Sequence, residues 1–250
     1  MKIVCITDTH NKHKYLTSKA YGDLLPHGDL LCHCGDLTNL GKKGEVEDIF
    51  KWFESIVDRY TYGIVFICGN HDKTFDPKFG DYQIDDVNGE LPKIKPYWLK
   101  QMINNLPGNI HYLENSDITI NGLKIWGSPV SPWFHGDRWG FNKYRGDEID
   151  EVWKQIPLDT DIIMTHTPVS YKLDYLPDQN EYLGCEQLRY RVKEIKPLVH
   201  MCGHIHPGRN VDYDENTTYV NACILDDGHN FVNKPIVIEV NKEEREVKIL

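Results

Sequence analysis

The sequence predicts an α/β fold whose working residues sit at the carboxyl ends of parallel strands, and three observations predict it. Near-continuous apolar runs at 2–6, 29–34 and 64–68 are what strands covered on both faces require. Between the second and third, Val46, Ile49, Phe50, Phe53, Ile56 and Val57 recur at helical spacing across 45–60, giving a crossover helix. Five apolar runs then end alike, in residues that ligate metals or turn a backbone. Strand, helix, strand is the pattern of a parallel sheet with its functional loops at the carboxyl edge.

Taken in order, run 2–6 ends at Asp8-Thr9-His10, and a polar segment with Gly22, Pro26 and Gly28 leads to run 29–34, which ends at Gly35-Asp36. Run 64–68 ends at Gly69-Asn70-His71-Asp72. Residues 73–96, with Pro77, Gly80, Gly89, Pro92 and Pro96, read as a long surface loop near the site. Trp98, Leu99, Met102 and Ile103 predict a short helix ended by Pro107-Gly108. Runs 110–113 and 118–126 follow, the latter broken by Asn121-Gly122, the signal of a two-residue hairpin turn, and a second group of strands begins there.

The segment 127–142 is crowded with aromatics, prolines and glycines, and serves as a hydrophobic plug or as a rim that stacks an aromatic or nucleobase group. A helix at 147–155 closes it. Run 161–164 carries His166, a helix spans 185–195, and run 198–202 carries Gly203-His204-Ile205-His206. Runs 218–225, 236–240 and 247–250 read as antiparallel strands that finish a second sheet. With 250 residues and no repeat or linker, one domain over 1–250 is expected.

Composition narrows the function. No stretch approaches the roughly 18 apolar residues of a membrane helix, and the apolar run before Thr7-Asp8 is too short for a signal peptide. Seven cysteines cannot all pair, and Cys5, Cys32, Cys68 and Cys202 lie in strand-like runs, so a reducing, cytoplasmic setting is expected. Cys32-His33-Cys34 lacks a second pair at zinc spacing and reads as buried strand. A net charge of −10 disfavours extended nucleic acid as partner, while small anions stay open because bound ions can invert the local field.

Asp8 with His10, and His204 with His206, are spaced two apart, so each pair points to one side of an extended backbone. Together with Asp36, Asn70 and His166 they form an imidazole, carboxylate and carboxamide set suited to manganese, iron or zinc, and without cysteine it is not a structural zinc site. Seven ligands exceed the need of one ion. Two ions about 3.5 to 4 Å apart, with Asp36 bridging, use them all and suit in-line attack on phosphorus. A bridging water, its pKa lowered toward about 7, then supplies the attacking hydroxide. His71, in surplus of the ligand count, is placed to assist the leaving oxygen.

The order Asp8-x-His10, Gly35-Asp36, Gly69-Asn70-His71-Asp72, His166, Gly203-His204-x-His206 resembles the calcineurin-like metallophosphoesterases over about 200 residues. That resemblance implies a four-layer α/β/β/α sandwich. It implies one ion on Asp8, His10, Asp36 and His206, a second on Asp36, Asn70, His166 and His204, and His71 as catalytic histidine. Trp126-Gly127-Ser128-Pro129, Trp133-Phe134, Trp139-x-Phe141-Asn142, Arg145-Gly146 and His166-Thr167-Pro168 look like the small metallophosphoesterase-domain-containing, class III cyclic nucleotide phosphodiesterase-like branch, whose members act on phosphodiesters including cyclic nucleotides. No arginine-rich phosphate clamp is evident beyond Arg209, which favours diester cleavage over protein dephosphorylation.

Alternatives stay open: a phosphomonoesterase or protein phosphatase, a nuclease, or a non-catalytic binding module on the same fold. His13, Trp133 and Arg209 are candidate substrate contacts, and His135 is weighed beside them. His27, His33, His111, His200 and His229 read as structural, and Asp72 as an orienter of His71 or a turn-capping residue.

Overall fold

Alternation explains the unbroken apolar run of β1 (Lys2–Ile6): Val4 and Ile6 pack toward helices, while Ile3 and Cys5 face a second sheet. The same division holds in β2 (Leu30–Cys34) and β3 (Ile64–Ile67), where Leu31, Ile64 and Phe66 look outward and Leu30, Cys32, Val65 and Ile67 inward. The computed structural model describes residues 1–81 and 93–250. Of the expected surface loop at 73–96, residues 82–92 lie outside the described residues; its flanks meet at an Asp81–Ile94 bridge.

Helix α1 (Lys43–Ile56) begins two residues before the expected span, because the Glu45 carboxylate caps it by accepting from the backbone N–H groups of Leu40 and Lys42. It lays Val46, Ile49, Phe50 and Phe53 on the outer face of the first sheet beside Leu99 of α2 (Tyr97–Asn104). That sheet continues with β4 (Ile110–Tyr112), and β1 to β4 are all parallel.

The second sheet is entered by the hairpin of β5 (Ser116–Ile120) and β6 (Leu123–Ser128). Asn121 and Gly122 form its turn with φ of 47° and 79°, as a primed turn demands. Short β7 (Ser131–Pro132) and β8 (Asn142–Lys143) tie the aromatic segment, and α3 (Asp147–Trp153) follows. Then come β9 (Ile162–Thr165), the small ladder of β10 (Tyr175–Leu176) and β11 (Glu181–Tyr182), α4 (Glu186–Ile195) and β12 (Val199–Cys202). β13 (Asn210–Tyr213) and β14 (Thr218–Asn221) complete the sheet in the order β13-β14-β12-β9-β6-β5.

The terminal strands correct the sequence reading. β15 (Ile236–Asn241) and β16 (Glu246–Ile249) join the first sheet, in the order β16-β15-β1-β2-β3-β4, with Lys2 opposite Glu239. An alternating run such as Ile-Val-Ile-Glu-Val fits the edge of either sheet. The free edge of β1 decides, and Ile236, Ile238 and Val240 complete the core between the sheets. Run 218–225 is likewise shorter than expected, and β14 lies parallel to β12.

Three apolar layers therefore alternate with structure: helices α1 and α2 against the first sheet, the first sheet against the second, and the second sheet against α3 and α4 through Trp126, Ile163 and Tyr219. This is the four-layer α/β/β/α sandwich. The parallel strands of both sheets end at one edge, and their loops meet there.

Candidate metal centre

The loops after the strands are bonded to one another before any side chain is considered. Asp8 N donates to Gly35 O, His10 N to Asp36 O, and Gly203 N to His166 O, at 2.9, 3.1 and 3.0 Å. Asp8, His10, Asp36 and His204 all hold left-handed backbone, with φ of 53°, 40°, 51° and 67°. Such conformations cost of order 1–3 kcal/mol each for non-glycine residues and cluster where geometry must be fixed. Gly69 and Gly203 are needed for close approach: a Cβ at Gly69 would lie 2.3 Å from Asp36 Oδ1, and one at Gly203 would lie 2.1 Å from Asp8 Oδ2.

Asp36 is central. Its Oδ2 lies 3.6 Å from His10 Nε2 and 3.4 Å from His166 Nε2, while its Oδ1 accepts from His71 N at 2.8 Å. Asn70 Oδ1 is 2.9 Å from His166 Nε2, and His206 Nε2 is 3.2 Å from Asp8 Oδ1. The ring of His204 stands 5.0 Å from that of His166. The seven predicted ligands are thus brought to one place, and Asp8, Asp36 and His166 hold ligand atoms within 4.8 Å of one another.

Backbone carbonyls set the tautomers. His166 Nδ1 donates to Cys34 O at 3.0 Å, His206 Nδ1 to Asp226 O at 2.9 Å, and His71 Nδ1 to Asn39 O at 2.8 Å, so each ring turns Nε2 inward. The outer oxygen of Asp8 is saturated by Thr7 Oγ1 at 2.6 Å, His204 N at 3.1 Å and Cys223 Sγ at 3.2 Å. Asp72 accepts from Gly69, Leu37 and Thr38, clamping two loops together, and makes no bond to the His71 ring.

The charges are arranged for cations. Burial alone would raise Asp8 and Asp36, but the His206 and His166 imidazoles draw both below the ordinary carboxylate range. Burial opposes protonation of His166 and His206 too, yet Asp36 and Asp8 bring each up to about 9. Burial lowers His10 to about 4 and His204 to about 3. Both ring nitrogens of His10 are buried without a hydrogen-bond partner, the condition of an imidazole whose Nε2 awaits a cation. Oxygen and nitrogen donors of this kind fit zinc, manganese or iron, which would displace the protons held on the two imidazoles.

A cleft of about 390 Å³ opens over the centre, lined by His10, Asp36, Asn70, His71, Phe134, His135, Trp139, His204, His206, Asp227 and His229. The aromatic segment serves both expected ends: Val130 and Phe141 are buried, whereas Trp139 lies 4.2 Å from the His71 ring and Phe134 meets His204 edge-on. Trp133 lines an adjoining apolar cleft that shares Phe134, His204 and His206. Arg209 borders a further groove beside His206 and Asp226, its Nη2 donating to Lys234 O. His13 stands apart, fully buried beside Trp52 with Nε2 3.3 Å from Asp48.

His229, read as structural in the sequence, lines the cleft and stacks on His10 at 4.3 Å. The signal was present: the apolar run before Asp226-Asp227-Gly228-His229 ends as the other five do. All seven cysteines are free and buried.

A fold of this topology with histidines and aspartates gathered at its strand ends defines a metal-dependent phosphoesterase class. The calcineurin-like phosphoesterase family matches residues 1–208, and the chain belongs to it. It is 39% identical over 243 residues to metallophosphoesterase domain-containing protein 1 of Homo sapiens, and equally to that of Mus musculus, covering 96% of this chain and 71% of each relative. Among solved structures, the protein TT1561 of Thermus thermophilus shares the fold with a TM-score of 0.59 at 11% identity, over 99% of this chain and 97% of that one.

Proposed function

We propose that the chain is a dinuclear-metal phosphodiesterase acting on small anionic esters, cyclic nucleotides among them. The observation that carries it is Asp36, whose Oδ2 stands within 3.6 Å of imidazoles from two different loops, where one carboxylate can serve two ions. Asp8, His10, Asp36 and His206 would hold one ion, and Asp36, Asn70, His166 and His204 the other. When bound, such ions supply Lewis acidity and an acidified water.

The chain's own residues do the rest. His71, with its Nδ1–H committed to the Asn39 carbonyl, turns its Nε2 to the leaving oxygen and, as the doubly protonated imidazolium, serves as proton or hydrogen-bond donor. Trp139 covers that ring, and Phe134 with Trp133 offers apolar surface to an ester substituent. A diester is favoured because no Lys or Arg is among the cleft-lining residues described, so a dianionic monoester would find no clamp there. The family match at 1–208 and the closing strands at 236–249 favour one domain. Free, buried cysteines favour a reducing, cytoplasmic setting; no described helix is long and apolar enough to cross a membrane.

The test is kcat/KM of manganese-loaded protein on a paired aryl phosphodiester and phosphomonoester, with metal-stripped protein as control. Metal-dependent preference for the diester is expected. Preference for the monoester would make it a phosphatase, and no turnover by protein holding two ions would make it a binding module.

A further inference from the structure

His229 lies outside every motif that carries the family resemblance, yet the fold takes pains to place it. Its N–H donates to Asp226 O at 2.8 Å, the same carbonyl that accepts from His206 Nδ1 at 2.9 Å, so one peptide group aims both imidazoles. Asp226 Oδ1 accepts from Asn230 N at 2.7 Å, a Leu225–Phe231 bridge closes the loop, and Lys12 Nζ donates to the His229 carbonyl from the loop of Asp8 and His10. His229 itself has a φ of 56°, a left-handed backbone that these bonds maintain.

The ring so placed stacks on His10, 14° from parallel at 4.3 Å, and stands 5.5 Å from the His206 ring. His71 stands 4.6 Å from His10 with its ring nearly perpendicular, and the centroids of His71 and His229 are 6.2 Å apart. Among the described residues neither ring nitrogen of His229 is hydrogen-bonded, and neither is among the buried unpartnered atoms, so both are accessible on a residue that lines the cleft. In the proposed set Asp8, His10, Asp36 and His206 already give an ion four ligands, which leaves His229, a fifth donor beside His10 and His206, in surplus as His71 is.

We infer that His229 contacts the substrate, donating a ring N–H to a phosphoryl oxygen beside His10, a role that rests on the phosphoesterase reading for its ligand. Where no lysine or arginine lines the described cleft, imidazole N–H groups are the donors on hand for an anion. His71 and His229, with ring centroids 6.2 Å apart, then both reach one phosphoryl group next to His10, the first toward the leaving oxygen and the second toward a non-bridging one.

The experiment compares His229→Phe, His229→Gln and His229→Ala with the unaltered metal-loaded protein in three readouts: the dissociation constant for inorganic phosphate by calorimetry, metal per chain, and kcat/KM on the aryl phosphodiester. Phe keeps the stack on His10 and removes the donor. It should weaken phosphate binding about tenfold, as loss of one hydrogen bond to a charged group does, with metal content unchanged, and Gln should recover part of the loss. Phosphate affinity in the Phe variant equal to that of the unaltered protein would reduce His229 to a stacking role and overturn the inference. Loss of an ion in the Phe variant would overturn it also, by making the residue a ligand. Absent diester turnover refutes the proposed activity alone, because the phosphate titration decides His229 without it; no saturable phosphate binding by the unaltered protein refutes both.

Discussion

The carbonyl oxygen of Asn39 holds His71 Nδ1 at 2.8 Å, so the proton of that nitrogen is spent on the backbone and Nε2 alone faces the cleft. Asp36 meets the same residue through its backbone N–H, at 2.8 Å, and not through its ring. The proposed ligand Asp36 and the proposed catalyst His71 are therefore separable by mutation.

His71→Ala should lower kcat by roughly 10²–10⁴-fold, the usual worth of a positioned acid, while metal stays near two per chain. Asp36→Ala should lose both. Elemental analysis beside initial rates checks this, and a His71→Ala protein emptied of metal would overturn the division.

Gly203→Ala should abolish metal binding without unfolding the sandwich. Its Cβ would fall 2.1 Å from Asp8 Oδ2 and 2.2 Å from Thr7 Oγ1, displacing a ligand rather than a core side chain. Native circular dichroism with absent metal is the expected pair of results. Normal metal content would show that the loop can shift.

Thr7 and Cys223 fix the outer oxygen of Asp8 and so turn Oδ1 toward His206 Nε2, 3.2 Å away. Thr7→Val should weaken metal affinity by about 10–100-fold, the scale on which such supporting bonds act, and Cys223→Ser should retain more affinity than Cys223→Ala. Competition with a chelator measures it. Equal affinity across all three would leave Asp8 without need of these donors.

Acid should destabilise the protein through His200. Thr165 Oγ1 gives its proton to Thr167 O at 2.6 Å, so it accepts from His200 Nε2 at 2.8 Å, and the buried Nδ1 has no partner for a second proton. Burial lowers His200 from 6.5 to about 3. Between those values the unfolded chain binds the proton and the folded chain does not, so stability falls as pH drops below about 6.5, by about 1.4 kcal/mol per unit for one such group. Urea unfolding of His200→Gln at several pH values should show a flatter acid limb; an unchanged slope would assign the loss to other groups.

What was legible in the sequence followed from local pattern. Period and apolar continuity marked β1 to β3 and α1, and Asn121-Gly122 marked its hairpin, because neighbours along the chain decide those features. The predicted ligand set could be read because each member follows a strand end. The terminal strands could not be placed, since Ile236–Asn241 chooses β1 through a contact with no local trace. The placements of His13 and His229 have no local trace for the same reason: His13 follows the predicted ligand His10 in sequence but turns toward α1, and His229 reaches the cleft only once its loop closes on Asp226. Asp72 follows suit, its four donors coming from two loops that only the fold joins.

The pairing of β1 with β15 also bears on how the chain is made. The strand that carries Asp8 and His10 is synthesised well before its partner, since Glu239, opposite Lys2, lies far along the chain from it. Until then one edge of β1 has no hydrogen-bond partner, and long-range closure of this kind is slow. A nascent chain can form parallel pairs with Leu30–Cys34 early, but the first sheet, and with it the anchorage of the loop of Asp8 and His10, is finished only after β15 has been made.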